Sequence, residues 1–288
     1  MEANFRHDVA QRCAAMLQAA GYMYPAGDDQ ATIKTYVSVK HRRITTQPRK
    51  VHKAPYQVPA HLASGEAQLL AKVQAGGDLW GHQSRKIGDV GVEDGMLNDY
   101  GIQHFHLGTK PDRKRPNLIE GTKEILFAVV KENDFYVLGI FDHKAWSKQA
   151  LIDVVQTNWP QLVDPYVLKS GPGFEVLGLS RTYTDDEAAI LRANGINVLT
   201  TGKDGSVRLG PGGGVTGLGT SLVATRDAIK LERHIKEMQQ EAIEGLEAVG
   251  ADDSVRVRLE WREDKPYIVT DPPGLDQEVT EVLSIPPL

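Results

Sequence analysis

"EILFAVVKENDFYVLGIF", residues 124–141, sets two apolar runs on either side of a polar turn. Runs of that length, rich in Val, Ile, Phe and Tyr and split by turn-forming residues, specify a β-hairpin. Just upstream, "LNDYGIQHFHLG" at 97–108 holds a further buried strand at about 102–107, which carries two of the chain's nine histidines. Residues two apart in a strand point to one face. His104 and His106 therefore stand side by side, with Phe105 and Leu107 on the opposite face.

The segments around this sheet are mixed. Residues 3–21 have the spacing of an amphipathic helix closed near Gly21. "TIKTYVSVKHRRI" at 32–44 alternates and is rich in β-branched residues, which predicts a strand. "TTQPRKVHKAPYQVP" at 45–59 carries three prolines and reads as an extended connector. Leu62, Leu69, Leu70 and Val73 mark a helix over about 59–75, which the glycine-rich "GGDLWGHQSRKIGDVG" ends. After the hairpin, Ala145, Ile152, Val155 and Trp159 suit a helix of about four turns.

Further on, "FEVLGLS" at 174–180 reads as a strand, and "TDDEAAILRAN" as a helix capped by Thr184. "INVLTT" and "SVRLG" are strands about a "KDG" turn, and "GPGGGVTGLG" at 210–219 is a flexible connecting loop. Residues 221–248 form a long helix with Leu231, Ile235, Met238, Ala242 and Leu246 on one face. "SVRVRLEWREDKPYIVT" is a second hairpin, with Arg256, Arg258 and Arg262 opposite Val255, Val257, Leu259 and Trp261, before a proline-marked tail. The fold class is α+β: a twisted antiparallel sheet with flanking helices, then a C-terminal α/β region with a long helix and a hairpin. The expected division is an N-terminal helical and basic region at 1–96, a sheet core at 97–164 and a C-terminal region at 165–288, with one domain spanning the last boundary as the alternative.

Hydrophobic residues at 41% and charged residues at 25% of 288 are those of a soluble globular protein. A net charge of −5 argues against a generic nucleic-acid coat but leaves room for a local basic groove. The single cysteine, Cys13, rules out an intrachain disulfide framework and a Cys-rich zinc site, and it reads as a buried small residue. The N-terminal residues lack a secretory h-region and no apolar run approaches about 18 residues, so the expected place is the cytoplasm, with no membrane partner.

Two buried imidazoles each need hydrogen-bond partners, so a pair on one strand face points to a site more than to filler. His143, at the exit of the second hairpin strand, is placed to approach them. Three histidines have two uses. They ligate a metal, with Asp99 or Asp142 as a fourth ligand or support, or they act as general acid and base without one. The sequence leaves both open.

Basic residues supply the second constellation. Residues 34–53, "KTYVSVKHRRITTQPRKVHK", hold seven Lys and Arg, two His and no acid, and "KPDRKRP" follows the histidine strand directly. A charge run is ordinarily a solvated face. Two such runs beside imidazoles are what metal-free RNA cleavage needs, since cations neutralise phosphate and stabilise charge developing on it. The glycine-rich 210–219 loop lacks the ending of a phosphate-binding P-loop.

The hairpin with its flanks, "EILFAVVKENDFYVLGIFDHKAW", resembles the central strands of the RelE-like and barnase/colicin-type ribonuclease toxins. "YGIQHFHLG" would be the preceding strand, "TKPDRKRP" the basic loop and "FDH" the functional strand end. The match covers about 97–160, and this chain is longer and more acidic than those toxins. The run "RKVH…DLW…SRK…LNDYGIQHFHLG" also resembles a group of uncharacterised bacterial proteins, which implies no activity. The ribonuclease resemblance implies a metal-independent endoribonuclease of toxin or defence type, with His104, His106, His143 and Arg115 on the active face. His104 and His106 would share the acid and base roles, with His143 as orienter or second acid. Lys40, Arg42, Arg43, Arg49, Lys50 and Arg113 would hold RNA phosphate. No cofactor is implied. The partners expected are RNA, an antitoxin or regulatory protein, and a second copy docked through the long helix. The alternatives are a metal-dependent enzyme using the three histidines as ligands, and a non-enzymatic module that binds nucleic acid or protein.

Overall fold

The hairpin forms where its sequence places it. The structure, a computed structural model, describes residues 1–84, 86–143, 145, 148–279, 285, 286 and 288. Strands β4 (Glu124–Val130) and β5 (Asp134–Asp142) pair antiparallel with Val130 opposite Phe135, and β3 (Ile102–His106) pairs antiparallel with β4, His104 opposite Phe127. On the other side of β5, β2 (Lys50–Lys53) joins in parallel, giving the order β2-β5-β4-β3. The histidine strand is thus an edge strand.

Both faces of this sheet are covered, which is why its strands are runs of buried residues. One face, with Ile102, Phe127 and Leu138, packs with Leu151, Ile152 and Val155 of α5 (Ala150–Asn158). The other, with Phe105, Leu126 and Phe135, packs with Leu69 and Val73 of α3 (Ala63–Ala75). Each such buried side chain contributes roughly 1.5–3 kcal/mol. Gly65 lets α3 approach the end of β3, since a Cβ there would lie 1.8 Å from the Leu107 carbonyl oxygen. The entry to β3 is α4 (Gly95–Tyr100), capped by Asp94 and stopped by Gly101 in the left-handed region at φ +68°. These elements belong to one unit, residues 42–87 and 91–223, with α6 (Asp185–Ala193) and the short pair β6 (Thr200–Thr201) and β7 (Val207–Arg208). Thr184 and Glu187 close a capping box at the start of α6.

The second unit comprises residues 1–41, 88–90 and 224–288. Helix α1 (Phe5–Ala19) buries Phe5, Val9, Cys13 and Leu17 at four-residue spacing, and Leu259 N–H donates to Asp8 Oδ2 at 2.8 Å. Most of α7 (Leu222–Ala248) lies in this unit, and Ile235 and Met238 enter the same core. Strands β8 (Arg256–Arg262) and β9 (Lys265–Asp271) form the C-terminal hairpin, flanked by β1 (Glu2–Ala3), parallel to β8, and β10 (Asp276–Glu278). Here the alternation is clean, with Val257 and Leu259 buried and Arg256 and Arg258 exposed. Because β1 pairs with β8, the chain does not divide by contacts at 96/97 and 164/165 as expected.

The fold is α+β, and several local expectations are corrected. Residues 32–44 do not form a strand. Most of them belong to α2 (Asp29–Arg42), where Ile33, Tyr36 and Val39 recur at helical spacing in the α1 core. Packing on α1 overrides the β-branched composition. Within the proline-marked connector, Lys50–Lys53 finds β5 as a partner and becomes strand. "FEVLGLS" forms no strand, because Phe174 and Leu177 are exposed and nothing among the described residues pairs with them beyond a Gly171–Phe174 bridge. The helix expected from Ala145 is shorter, and Lys144, Trp146 and Ser147 lie outside the described residues, as do Arg85 of the glycine-rich break and Pro287 of the tail.

The 210–219 loop is no flexible connector. Gly212 N–H donates to Asp99 O at 2.9 Å and Gly214 N–H to Asn98 O at 2.7 Å, satisfying carbonyls at the C-terminus of α4. Side chains are excluded there: a Cβ on Gly210 would meet Asp99 O at 2.0 Å.

Candidate acid–base site

The strand face brings the three histidines together. His104 and His106 share the α5-side face of β3, and His143 follows the last residue of β5. The His106 and His143 rings lie 5.4 Å apart between centroids. One residue of the loop between β3 and β4 organises both. Thr122 N–H donates to His106 Nδ1 at 3.1 Å, and His143 Nε2 donates to Thr122 O at 3.0 Å. Leu107 N–H donates to Thr122 Oγ1 at 3.1 Å, so the threonine is held in turn.

These bonds set the proton positions. A carbonyl oxygen only accepts, so His143 carries a proton on Nε2 and presents its basic nitrogen at Nδ1. A backbone N–H only donates, so His106 Nδ1 stays unprotonated and its proton sits on Nε2. The His106 ring thus accepts through Nδ1 and, when neutral, carries its proton on Nε2. It is also buried, at 8% exposure, with His82 Nδ1 donating to its backbone oxygen at 3.0 Å. His143 is exposed. Of the two rings His143 is the accessible one and His106 the buried one.

His104 has a different setting. At 4% exposure it packs against Phe127, with Nδ1 3.6 Å from Asp94 Oδ2, a charge contact just beyond hydrogen-bond distance. Burial pushes its imidazole below the ordinary value, against the pull of Asp94 and aided by the like charge of His143. Asp94 is itself fixed, since its Oδ1 accepts the Met96 and Leu97 N–H groups at 3.1 Å. Beside His104 lies a cavity of about 120 Å³ whose wall includes Arg42, Gln83, Asp94 and Gln103.

Among the described residues no three His, Cys, Asp or Glu side chains converge as a ligand set. His106 Nδ1 and His143 Nε2 are engaged by Thr122, and Asp99 is buried in an ion pair with Arg192, whose Nε donates to it at 2.9 Å.

The two basic runs separate. Lys110, Arg113, Lys114 and Arg115 are exposed on the loop that Thr122 ends, a loop braced by Asp112, whose Oδ1 accepts the Lys114 and Arg115 N–H groups. The 34–53 stretch is not one phosphate-binding face. Lys40 is exposed in the other unit, Arg43 is half-buried and Lys50 exposed. Arg42 is buried and donates to Val92 O at 2.6 Å. Arg49 is buried too, its guanidinium donating to Lys131 O, Thr45 O, Gln47 O and Thr45 Oγ1.

Sequence reading missed Thr122, Asp94, His82 and Gln83. Only Asp94 left a signal, an N-cap ahead of "GMLNDYG" with its closing glycine. No helix among the described residues is long and apolar enough to cross a membrane. Comparison with family models, with curated proteins and with solved structures finds no match for this chain.

Proposed function

We propose that this protein cleaves RNA without a metal, at His143 and His106. The observation that carries the reading is Thr122: its N–H and C=O hold the two rings in complementary states at the end of a loop bearing four exposed cations. His143 Nδ1 takes the proton of a ribose 2′-OH, whose oxygen bonds to phosphorus as the bond to the 5′ oxygen breaks. The departing oxygen takes a proton from water, and the hydroxide so formed takes back the proton held on His143 Nδ1, leaving a 2′,3′-cyclic phosphate and a neutral ring. His106 Nε2–H donates to a phosphoryl oxygen as negative charge builds, and Arg113, Lys114 and Arg115 hold flanking phosphates. His104 supports the site and does not touch RNA. The resemblance of residues 97–160 to ribonuclease toxins favours the same substrate.

The test is cleavage of a labelled structured RNA in excess EDTA by the wild-type chain and by His143→Ala. Cleavage that survives EDTA and falls about 10²–10⁴-fold in the variant is the expected result. No cleavage by the wild type overturns the proposal, and RNA that is retained but never cut favours a binding module instead.

A further inference from the structure

We infer that the cavity beside His104 is a binding site for a small neutral heterocycle with an N–H donor next to a carbonyl acceptor, of the size and class of a pyrimidine base. The cavity lies wholly within one unit, and Gln103 and His104 of the edge strand β3 form part of its wall. Its volume of about 120 Å³ is that of a one-ring ligand, since a 150 Å³ apolar cavity accommodates benzene. Ile87, Val92 and Leu97 supply apolar walls for the faces of a ring.

The polar requirement comes from Gln83. This side chain is 6% exposed, and its Nε2 donates to Arg42 O and to Gln103 Oε1, both at 3.2 Å. The backbone carbonyl of Arg42 only accepts, so the amide cannot be turned round. That leaves Oε1 buried without a donor among the described residues. A buried acceptor left in that state costs about 1–3 kcal/mol, which a ligand N–H at the cavity wall removes. Charge selects the rest. Arg42 and Lys86 are balanced by Glu93 and Asp94 around the same space, which disfavours a ligand of either sign, while the Lys86 ammonium can donate to a carbonyl. A ring pairing N–H with C=O meets both demands. The inference stands apart from RNA cleavage, because it concerns the opposite end of β3 from Thr122 and uses none of the cleavage residues.

The experiment is calorimetric titration of the full chain with uracil and with 1,3-dimethyluracil, whose N–H groups are blocked. Uracil is expected to bind at one site, and the dimethyl compound about tenfold more weakly or not at all. Gln83→Met should weaken uracil by about tenfold. Because that change also removes two structural hydrogen bonds, Val92→Phe is run alongside; it fills the cavity, leaves the Gln83 bonds in place and should abolish binding. Absence of uracil binding up to about 10 mM, equal binding of the two compounds, or unchanged binding in Val92→Phe overturns the inference. RNA cleavage measured on the same Val92→Phe protein reports separately on the His143 site.

Discussion

Two stretches of this chain, 40–50 and 110–115, look alike in sequence, and the fold puts them to opposite uses. The first delivers Arg42 and Arg49 into the protein, where guanidinium groups satisfy backbone carbonyls. The second keeps Lys110, Arg113, Lys114 and Arg115 in water, on a loop fixed by Asp112 and Thr122. Density of positive charge is therefore a poor guide to which cations stay exposed. What decides is whether carbonyl groups without partners lie within reach, because a buried donor fork matches them and an exposed one is left to solvent and ligands.

The sharpest way to break this contrast is Arg49→Ala. It should cost about 3 kcal/mol in urea unfolding, since it leaves the carbonyls of Thr45, Gln47 and Lys131 without that donor, while RNA affinity of the folded protein stays as it was. Loss of RNA affinity with stability intact would reverse the assignment. The counterpart, Arg113→Ser with Lys114→Ser and Arg115→Ser, should leave stability within about 0.5 kcal/mol and weaken RNA binding at least tenfold. Its salt dependence should flatten by about two units of slope on a log–log plot.

The histidines divide in the same way, and pH separates them. Burial holds the His104 and His82 imidazoles below the ordinary 6.5, so below that pH the unfolded chain binds protons that the folded chain does not. Stability from these groups is complete above about pH 6.5 and falls as the pH drops, by up to ~1.4 kcal/mol per unit for each. In His104→Leu the acid limb of the profile should lose about half its slope; an unchanged limb would mean that the imidazole is solvated. Smallest of all, Lys50→Gln, an exposed member of the first stretch, should shift unfolding by less than about 0.5 kcal/mol.

Legibility followed the same physics. The hairpin 124–142, the histidine strand, the long helix and the Thr184 cap were readable because their signals are local: apolar runs about a turn, a helical stripe, a capping box. Residues 32–42 were misread because β-branched composition and a three-residue stripe coexist there, and α1 selects the stripe. "FEVLGLS" has strand composition but no neighbour to complete its ladder. The pairing of His106 with His143 was foreseeable from the strand ends. Thr122 was not, because its part is played by backbone atoms that every residue possesses. Nor could the sequence tell that Gln83 hydrogen-bonds Arg42 O rather than water.

The glycines that seat on α4 also carry a consequence for synthesis. Asn98 and Asp99 leave the ribosome roughly 110 residues before Gly212 and Gly214, which complete their hydrogen bonds. Closing a loop of that length costs about 4 kcal/mol of chain entropy, offset only once the 210–214 segment seats. The carbonyl groups just ahead of the strand bearing His104 and His106 thus find these partners late in translation. A nascent chain halted before residue 210 contains all three histidines yet lacks the support that fixes where the strand begins. The hydrogen bonds that close the end of α4 therefore form after every strand of that sheet has been made.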